Sequence, residues 1–368
     1  MTILTKTLAP IFSAAIAISM SPVAGNANAQ GNPAPNSAAA AAAASPLEHS
    51  HVSVATSDGL TLSAFVSRPT GSKVPLPALF LTQWVSCGSV APRDGRISQA
   101  EALALAAGYA LIRVDRSGEG ASEGAGCDKL DYETEVRHYR QALSQLYDHE
   151  WVDPENVVVL GSSLGSTTAP LVAQEMNVAG VLIQGAGALT YFERMVRFDR
   201  IQLERQPGLD HANIDREMRR RIEFHQLYLH KKMTPQQIEQ LHPHLTGVWQ
   251  SLRGTDSQPH YGRPYAWHWQ AADQNWLAAW AKIEAPVMVV FGEYEQFESR
   301  HGHRTIVDTV NRLRPGSATW LEIPKAGHGL GIYKDVYQAY SFSDGQRDRS
   351  LFIDPAAKWL RSIVRSPD

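Results

Sequence analysis

Three residues in this chain stand where side-chain chemistry could be done. Ser163 lies within Gly161-Ser162-Ser163-Leu164-Gly165, directly after the apolar run Val157-Val158-Val159-Leu160 and directly before a helical pattern. A bare G-x-S-x-G arises by chance in roughly one chain in ten of this length, so its weight comes from that setting. A serine on a sharp turn from strand to helix sits in strained backbone, and small residues two positions to either side let strand and helix approach closely. The turn also aims the N–H groups at the helix start toward a reacting carbonyl. An alkyl hydroxyl needs a general base. His328 offers one, in the loop Pro324-Lys325-Ala326-Gly327-His328-Gly329 that follows a strand expected over 319–323. Glu295 offers a carboxylate to orient the imidazole and stabilise its charged form, in Gly292-Glu293-Tyr294-Glu295 at the end of a buried strand expected over 286–291. Glu293 and Glu298 stand near enough to compete with it. His301 and His303 form an H-x-H, but the sequence places no third ligand beside them, so no metal site is expected.

Loops of this kind need a scaffold that sets several strand ends side by side. Residues 51–56 and 60–67 alternate around the turn Ser57-Asp58-Gly59 and predict an edge hairpin. The run Ala78-Leu79-Phe80-Leu81 is apolar without alternation, as in a strand covered on both faces. A helix over 97–107 and a strand over 109–114, interrupted by Arg113, follow. A helix over 132–149, a strand over 157–160, a helix over 164–176 and a strand over 178–184 continue the alternation. Such repetition implies a parallel sheet with right-handed crossovers. The rhythm breaks between 188 and 280, where charged helical stretches (195–206, 214–231, 235–242) replace strands, and it resumes with the strands at 286–291 and 319–323 and helices over 305–313 and 355–364. The expected organisation is therefore a core of 47–187 and 283–368 with a helical cap inserted over 188–282.

On these loops the chain resembles the α/β-hydrolase superfamily over essentially all of 47–368 apart from the insertion. Asp115-Arg116-Ser117-Gly118-Glu119-Gly120-Ala121-Ser122 is similar to a D-x-x-G-x-G-x-S loop common after the fourth strand of these enzymes, where it is usually structural. The resemblance implies a mostly parallel sheet of about eight strands with helices on both faces, a helical cap and no cofactor. Secreted esterases and serine-aminopeptidase-like members are the nearest in character. Many relatives carry His-Gly after the third strand, where a following N–H completes the oxyanion hole. Here the segment reads Thr82-Gln83-Trp84-Val85-Ser86-Cys87-Gly88, so the implied donors are the N–H groups of Trp84 and Leu164.

Composition bounds what the partners can be. The 368 residues are 43% hydrophobic and 19% charged, ordinary for a globular protein with a large core. A net charge of −3 supplies no long-range field to gather nucleic acid or another polyanion. Residues 1–29 read as a signal peptide, with Lys6, an apolar stretch over 7–20 and Ala27-Asn28-Ala29 as its cleavage site. Residues 30–46, rich in Asn, Pro and Ala, read as a disordered spacer. No later stretch reaches the roughly 20 apolar residues of a membrane span, so the expectation is an exported protein, periplasmic or secreted. The two cysteines, Cys87 and Cys127, follow strands at the same end of the sheet and can pair in an oxidising compartment, with two free thiols the alternative. The substrate expected is a small-molecule ester or a short peptide, with no nucleic acid partner, and the residues that bind it are not legible. Aromatics at 261–280 suit either a pocket or packing of the cap. Ester hydrolysis is the leading expectation; a peptidase or amidase with the same three residues and a non-catalytic binding protein on this scaffold are its rivals.

Overall fold

The computed structural model describes residues 45–93, 96–206, 208–253, 260–341 and 345–365. The expected signal peptide, and the spacer up to residue 44, lie outside the described residues. The strands are β1 (Leu47–Ala55), β2 (Thr61–Pro69), β3 (Leu76–Thr82), β4 (Ala110–Val114), β5 (Val152–Ser162), β6 (Gly180–Gln184), β7 (Val287–Gly292) and β8 (Ala318–Ile323). They form one sheet in the order β1-β2-β4-β3-β5-β6-β7-β8. β2 pairs antiparallel with β1 and with β4, and every other pairing is parallel. The expected edge hairpin and buried central strands are thus present.

The helices are α1 (Gln99–Ala107), α2 (Tyr132–Leu146), α3 (Gly165–Ala173), α4 (Tyr191–Glu204), α5 (His211–His225), α6 (Pro235–Leu241), α7 (Val248–Arg253), α8 (Tyr265–Asp273), α9 (Trp276–Lys282), α10 (Arg300–Leu313), α11 (Val336–Tyr340) and α12 (Ser350–Ser362). Successive strand residues point to opposite faces, and the two cores follow that alternation. Phe80, Val157, Val159, Val181 and Val289 pack with α2, α3, α9 and α10 on one face. Leu79, Leu81, Val158, Leu160, Leu182 and Val290 pack with α1 and α12 on the other. Because β5, β6, β7 and β8 are consecutive neighbours, the loops at their carboxyl ends lie together, which is where parallel sheets hold ligands.

Between β6 and β7 the described chain is helical. In its basic stretch Arg219 pairs with Asp215 and Arg220 with Glu217 on the surface, as a solvated face requires. Arg221 differs: it is buried with Asp199 and His225. Trp267, Trp276 and Trp280 are buried in the larger core cluster. These rings therefore pack the helical segment between β6 and β7 onto the sheet and do not line an open pocket. Among the described residues, no helix is long and apolar enough to cross a membrane.

Arg113, the charge inside an otherwise apolar strand, is accounted for by its neighbours. Its guanidinium lies 2.9 Å from Glu101 of α1, and both side chains are about 5% exposed or less. Nη2 also donates to Ser67 Oγ at 2.6 Å. Glu101 in turn accepts from the Ser98 N–H at the start of α1, completing a capping box. Removing one partner of a buried ion pair leaves an uncompensated charge, which costs about 3 to 5 kcal/mol. Glu101→Ala is therefore expected to lower unfolding free energy by about that amount, measured by urea denaturation; a loss near that of an exposed pair would overturn this account of Arg113.

Candidate active site

The run Val157-Val158-Val159-Leu160 forms the buried part of β5, and the chain turns sharply into α3 at Ser163, whose φ is 50°. That left-handed value is costly for a residue with a Cβ, and its neighbours hold it there. The Ser163 N–H donates to Gln184 O at 2.7 Å, and Ser163 O accepts from the Ser166 N–H at 2.9 Å. Both glycines of the pentapeptide mark close approaches. A Cβ on Gly161 would come within 2.7 Å of Ser166 Cα, and one on Gly165 within 2.2 Å of Thr82 O and 2.3 Å of Gln83 O. α3 can start only because it lies directly on the end of β3.

The three candidate residues meet. Ser163 Oγ is 2.7 Å from His328 Nε2, and His328 Nδ1 is 2.9 Å from both carboxylate oxygens of Glu295. Glu295 is buried, and its Oε1 also accepts from the Phe297 N–H at 2.9 Å. The competing carboxylates are engaged elsewhere. Glu293 is exposed and accepts from the Lys325 N–H at 2.8 Å, while Glu298 is buried in an ion pair with Arg194 of α4. His303 is a buried residue of α10 whose Nδ1 is 2.9 Å from Ser299 O.

Charges in this cluster act on one another. Burial raises the Glu295 carboxyl, but the charge and hydrogen bond of His328 and the Phe297 N–H outweigh it, so the acid is held below its ordinary range. Burial lowers the His328 imidazole, and the charge and hydrogen bond of Glu295 more than reverse that, so it titrates above its ordinary value. Burial and the nearby Glu295 charge raise Glu298 despite Arg194.

Sequence patterns did not reveal the residues that hold this arrangement. The Gln184 side-chain amide donates to His328 O, while its backbone carbonyl holds the Ser163 N–H, so one residue at the end of β6 fastens both. Gln296 accepts from the His328 N–H at 2.8 Å and donates to Ala339 O at 2.8 Å. A Cβ on Gly185 would come within 3.0 Å of His328 Cε1 and 3.1 Å of Ser163 Cα. The only signal for Gln184 was a polar residue ending a buried strand.

Among the described residues, no hydrogen bond uses the backbone N–H of Leu164 or of Trp84. The Trp84 segment is held from below by Arg116, which donates to Trp84 O at 2.5 Å, to Ser86 O at 3.0 Å and to Glu135 at 2.7 Å. A disulfide joins Cys87 to Cys127. The loop beginning at Asp115 is structural. Asp115 accepts from the Val90 N–H and Ser89 Oγ, and Gly120 packs where a Cβ would meet that carboxylate at 2.1 Å.

A family model described as "Alpha/beta hydrolase family" matches residues 96–335. The chain belongs to the alpha/beta hydrolase family. It is 32% identical over 135 residues to polyketide transferase ATR5 of Stachybotrys chlorohalonatus, a match covering 37% of this chain and 43% of that protein. The matched stretch thus spans less than half of that curated relative. The structure is similar to the alpha/beta hydrolase GrgF from Penicillium sp. sh18, with a TM-score of 0.50 at 15% identity over 86% of this chain and 98% of that one. It is also similar to carboxyl esterase 2 of the mycorrhizal fungus Tuber melanosporum, with a TM-score of 0.50 at 12% identity over 89% and 90%. At those identities the likeness is one of fold.

The contact of Gly165 with two backbone carbonyls leaves no room for a methyl group. Gly165→Ala is expected to cost about 3 kcal/mol or more, read as a fall in melting temperature. Gly331→Ala, where an added Cβ meets nothing closer than 3.5 Å, is the comparison; an equal effect of the two would overturn the packing account.

Proposed function

We propose that this chain is a serine hydrolase that cleaves carboxylic esters through an acyl-enzyme. The observation that carries the reading is the hydrogen-bonded series Ser163 Oγ, His328 Nε2, His328 Nδ1 and Glu295, with separations of 2.7 and 2.9 Å. Neutral His328 takes the Ser163 proton as Oγ attacks the ester carbonyl, and Glu295 stabilises the imidazolium that forms. The Leu164 and Trp84 N–H groups receive the oxyanion, a type of contact worth roughly 3 to 4 kcal/mol each to the transition state. His328 then returns the proton to the departing alkoxide. Water, deprotonated by the same imidazole, attacks the acyl-enzyme and releases the acid. No cofactor enters these steps.

The helical insertion acts in this reading as a cap, since Phe198 of α4 stacks on Phe297 (5.6 Å), which packs edge-on against His328 (4.8 Å). The partial match to a polyketide transferase favours a second outcome, in which an alcohol or amine replaces water as acceptor. Product analysis with and without an added alcohol separates the two. Export is proposed on the leader-like residues 1–29 and on the disulfide, a bond that oxidising compartments maintain.

Ser163→Ala is expected to reduce ester hydrolysis by at least about a thousandfold and to abolish single labelling by a fluorophosphonate, read by intact mass. An unlabelled, folded wild type would sink the proposal. Because the base must be neutral and its pKa is raised, the acid limb of kcat/KM is expected above the ordinary histidine value of 6.5. Glu295→Gln removes the group that raises it, so the limb should move to lower pH while the rate falls by up to about 10⁴-fold. A limb that stays in place in this variant would exclude His328 as the titrating base.

A further inference from the structure

One face of α4 carries Arg194, Phe198, Gln202 and Arg205, the last at the helix end, at spacings of four, four and three residues. Helix geometry puts these side chains on one side. The first two touch the residues beside the proposed acid and base, Glu298 and Phe297. The second two carry nitrogens that form no ion pair and no hydrogen bond of ordinary geometry. Arg205 Nε, Nη1 and Nη2 and Gln202 Nε2 are all shielded from solvent and have no hydrogen-bond partner among the described residues. The Arg205 guanidinium instead lies over the Tyr340 ring, 3.5 Å from its centroid. Tyr340 is itself tied to the site, because Gln296 bridges the adjacent Ala339 O to the His328 N–H.

A guanidinium shielded from water is costly unless it meets an acceptor. Arg194, three turns earlier, has Glu298; Arg205 has an aromatic face and no carboxylate. Burial depresses Arg205, and the polar contact with Tyr340 and the charges of Glu295 and Glu204 offset this only in part. A planar, two-pronged donor that is fixed by stacking and forms no ion pair matches a carboxylate.

We propose that Arg205, assisted by Gln202, binds a carboxylate carried by the substrate, making the preferred substrates half-esters of dicarboxylic acids. The inference rests on the ester-hydrolase reading and names its substrate class. A single carboxylate supplies the acceptor the guanidinium lacks, and the apolar rings of Phe198, Phe297 and Tyr340 suit the short methylene chain between it and the ester.

The test compares the monoethyl esters of succinic, glutaric and adipic acid with neutral isosteres in which the free carboxylate is an isopropyl group. Wild type is expected to favour at least one half-ester. Arg205→Met should lose about tenfold or more in kcat/KM on it, mostly through KM, because a hydrogen bond to a charged group is removed. Turnover of the neutral isostere should change less than about twofold, and Arg205→Lys should restore part of the loss. Equal losses on both esters, or none on the half-ester, would overturn the carboxylate assignment while leaving the hydrolase reading intact. If no ester is turned over, the hydrolase reading fails separately. Calorimetric titration of Ser163→Ala with the same half-esters then decides the binding claim: heat lost on adding Arg205→Met supports it, and equal or absent binding in both refutes it.

Discussion

The backbone of Ser163 is the constraint on which the site depends. A left-handed conformation at a residue with a side chain costs on the order of 1 to 3 kcal/mol and persists only where its surroundings over-determine it. Here they do so from three directions. β5 delivers the residue, α3 begins against the carbonyls of Thr82 and Gln83, and Gln184 O accepts the Ser163 N–H. The last of these reaches further than the turn, because the Gln184 side chain also holds the His328 carbonyl. The relative position of Ser163 and His328 is thus set by one residue of the strand between their parent elements. Their 2.7 Å separation follows from sheet register and does not rely on loop conformation alone.

A second fastening compensates for what the sequence lacks after β3. Relatives with glycine there gain a close backbone approach from its missing side chain, whereas this chain has Trp84. Segment 83–87 is instead held from outside. Arg116 takes its carbonyls, the Cys87–Cys127 bond ties its end, and Asp115 accepts from the segment that follows. Arg116 is itself fixed by Glu135, which also pairs with Arg263 and accepts from Trp267 Nε1 at 3.0 Å. Two guanidiniums on one buried carboxylate leave an excess of positive charge. Burial, followed by the like charge of Arg116, depresses Arg263 to about 8. Such a cluster adds little net stability, and loss of any member exposes the others' desolvation cost. Its value lies in geometry, because α2, the loop after β4, the start of α8 and segment 83–87 meet at one carboxylate.

Much of this was legible because it follows from local pattern. Apolar runs bounded by turn residues marked β3, β5 and β7, and β4 despite Arg113 within it, and the strand-to-helix setting singled out Ser163 from other serines. The position of His328 after the last strand distinguished it among 14 histidines. What could not be read depends on contacts between distant segments. Glu293, Glu295 and Glu298 are alike in sequence; only the fold turns one to His328, one to a backbone N–H and one to Arg194. The tryptophans at 267, 276 and 280 fit a pocket or a packed interface equally well by composition, and three-dimensional packing buries them. Gln184 and Gln296 act through side-chain bonds to backbone groups over a hundred and about thirty residues away, and no periodicity records that.

The placement of charge explains why the helices between β6 and β7 cannot be indifferent to the site. Glu295 and Glu298 are both buried and three residues apart, so each disfavours ionisation of the other. His328 offsets one and Arg194 the other. Without Arg194, Glu298 would stand as a second buried carboxylate facing the imidazole. It could be accommodated there by taking up a proton, or by adding to the negative field that already raises His328. The second course would lift His328 further from neutral pH and, in the proposed mechanism, weaken it as a proton acceptor at physiological pH. Arg194 belongs to α4, the first helix after β6, and Phe198 on the same face covers Phe297 against the His328 ring. The helix whose Phe198 packs over Phe297 therefore also sets the electrostatic balance of the site, and a movement that lifted α4 would change both together.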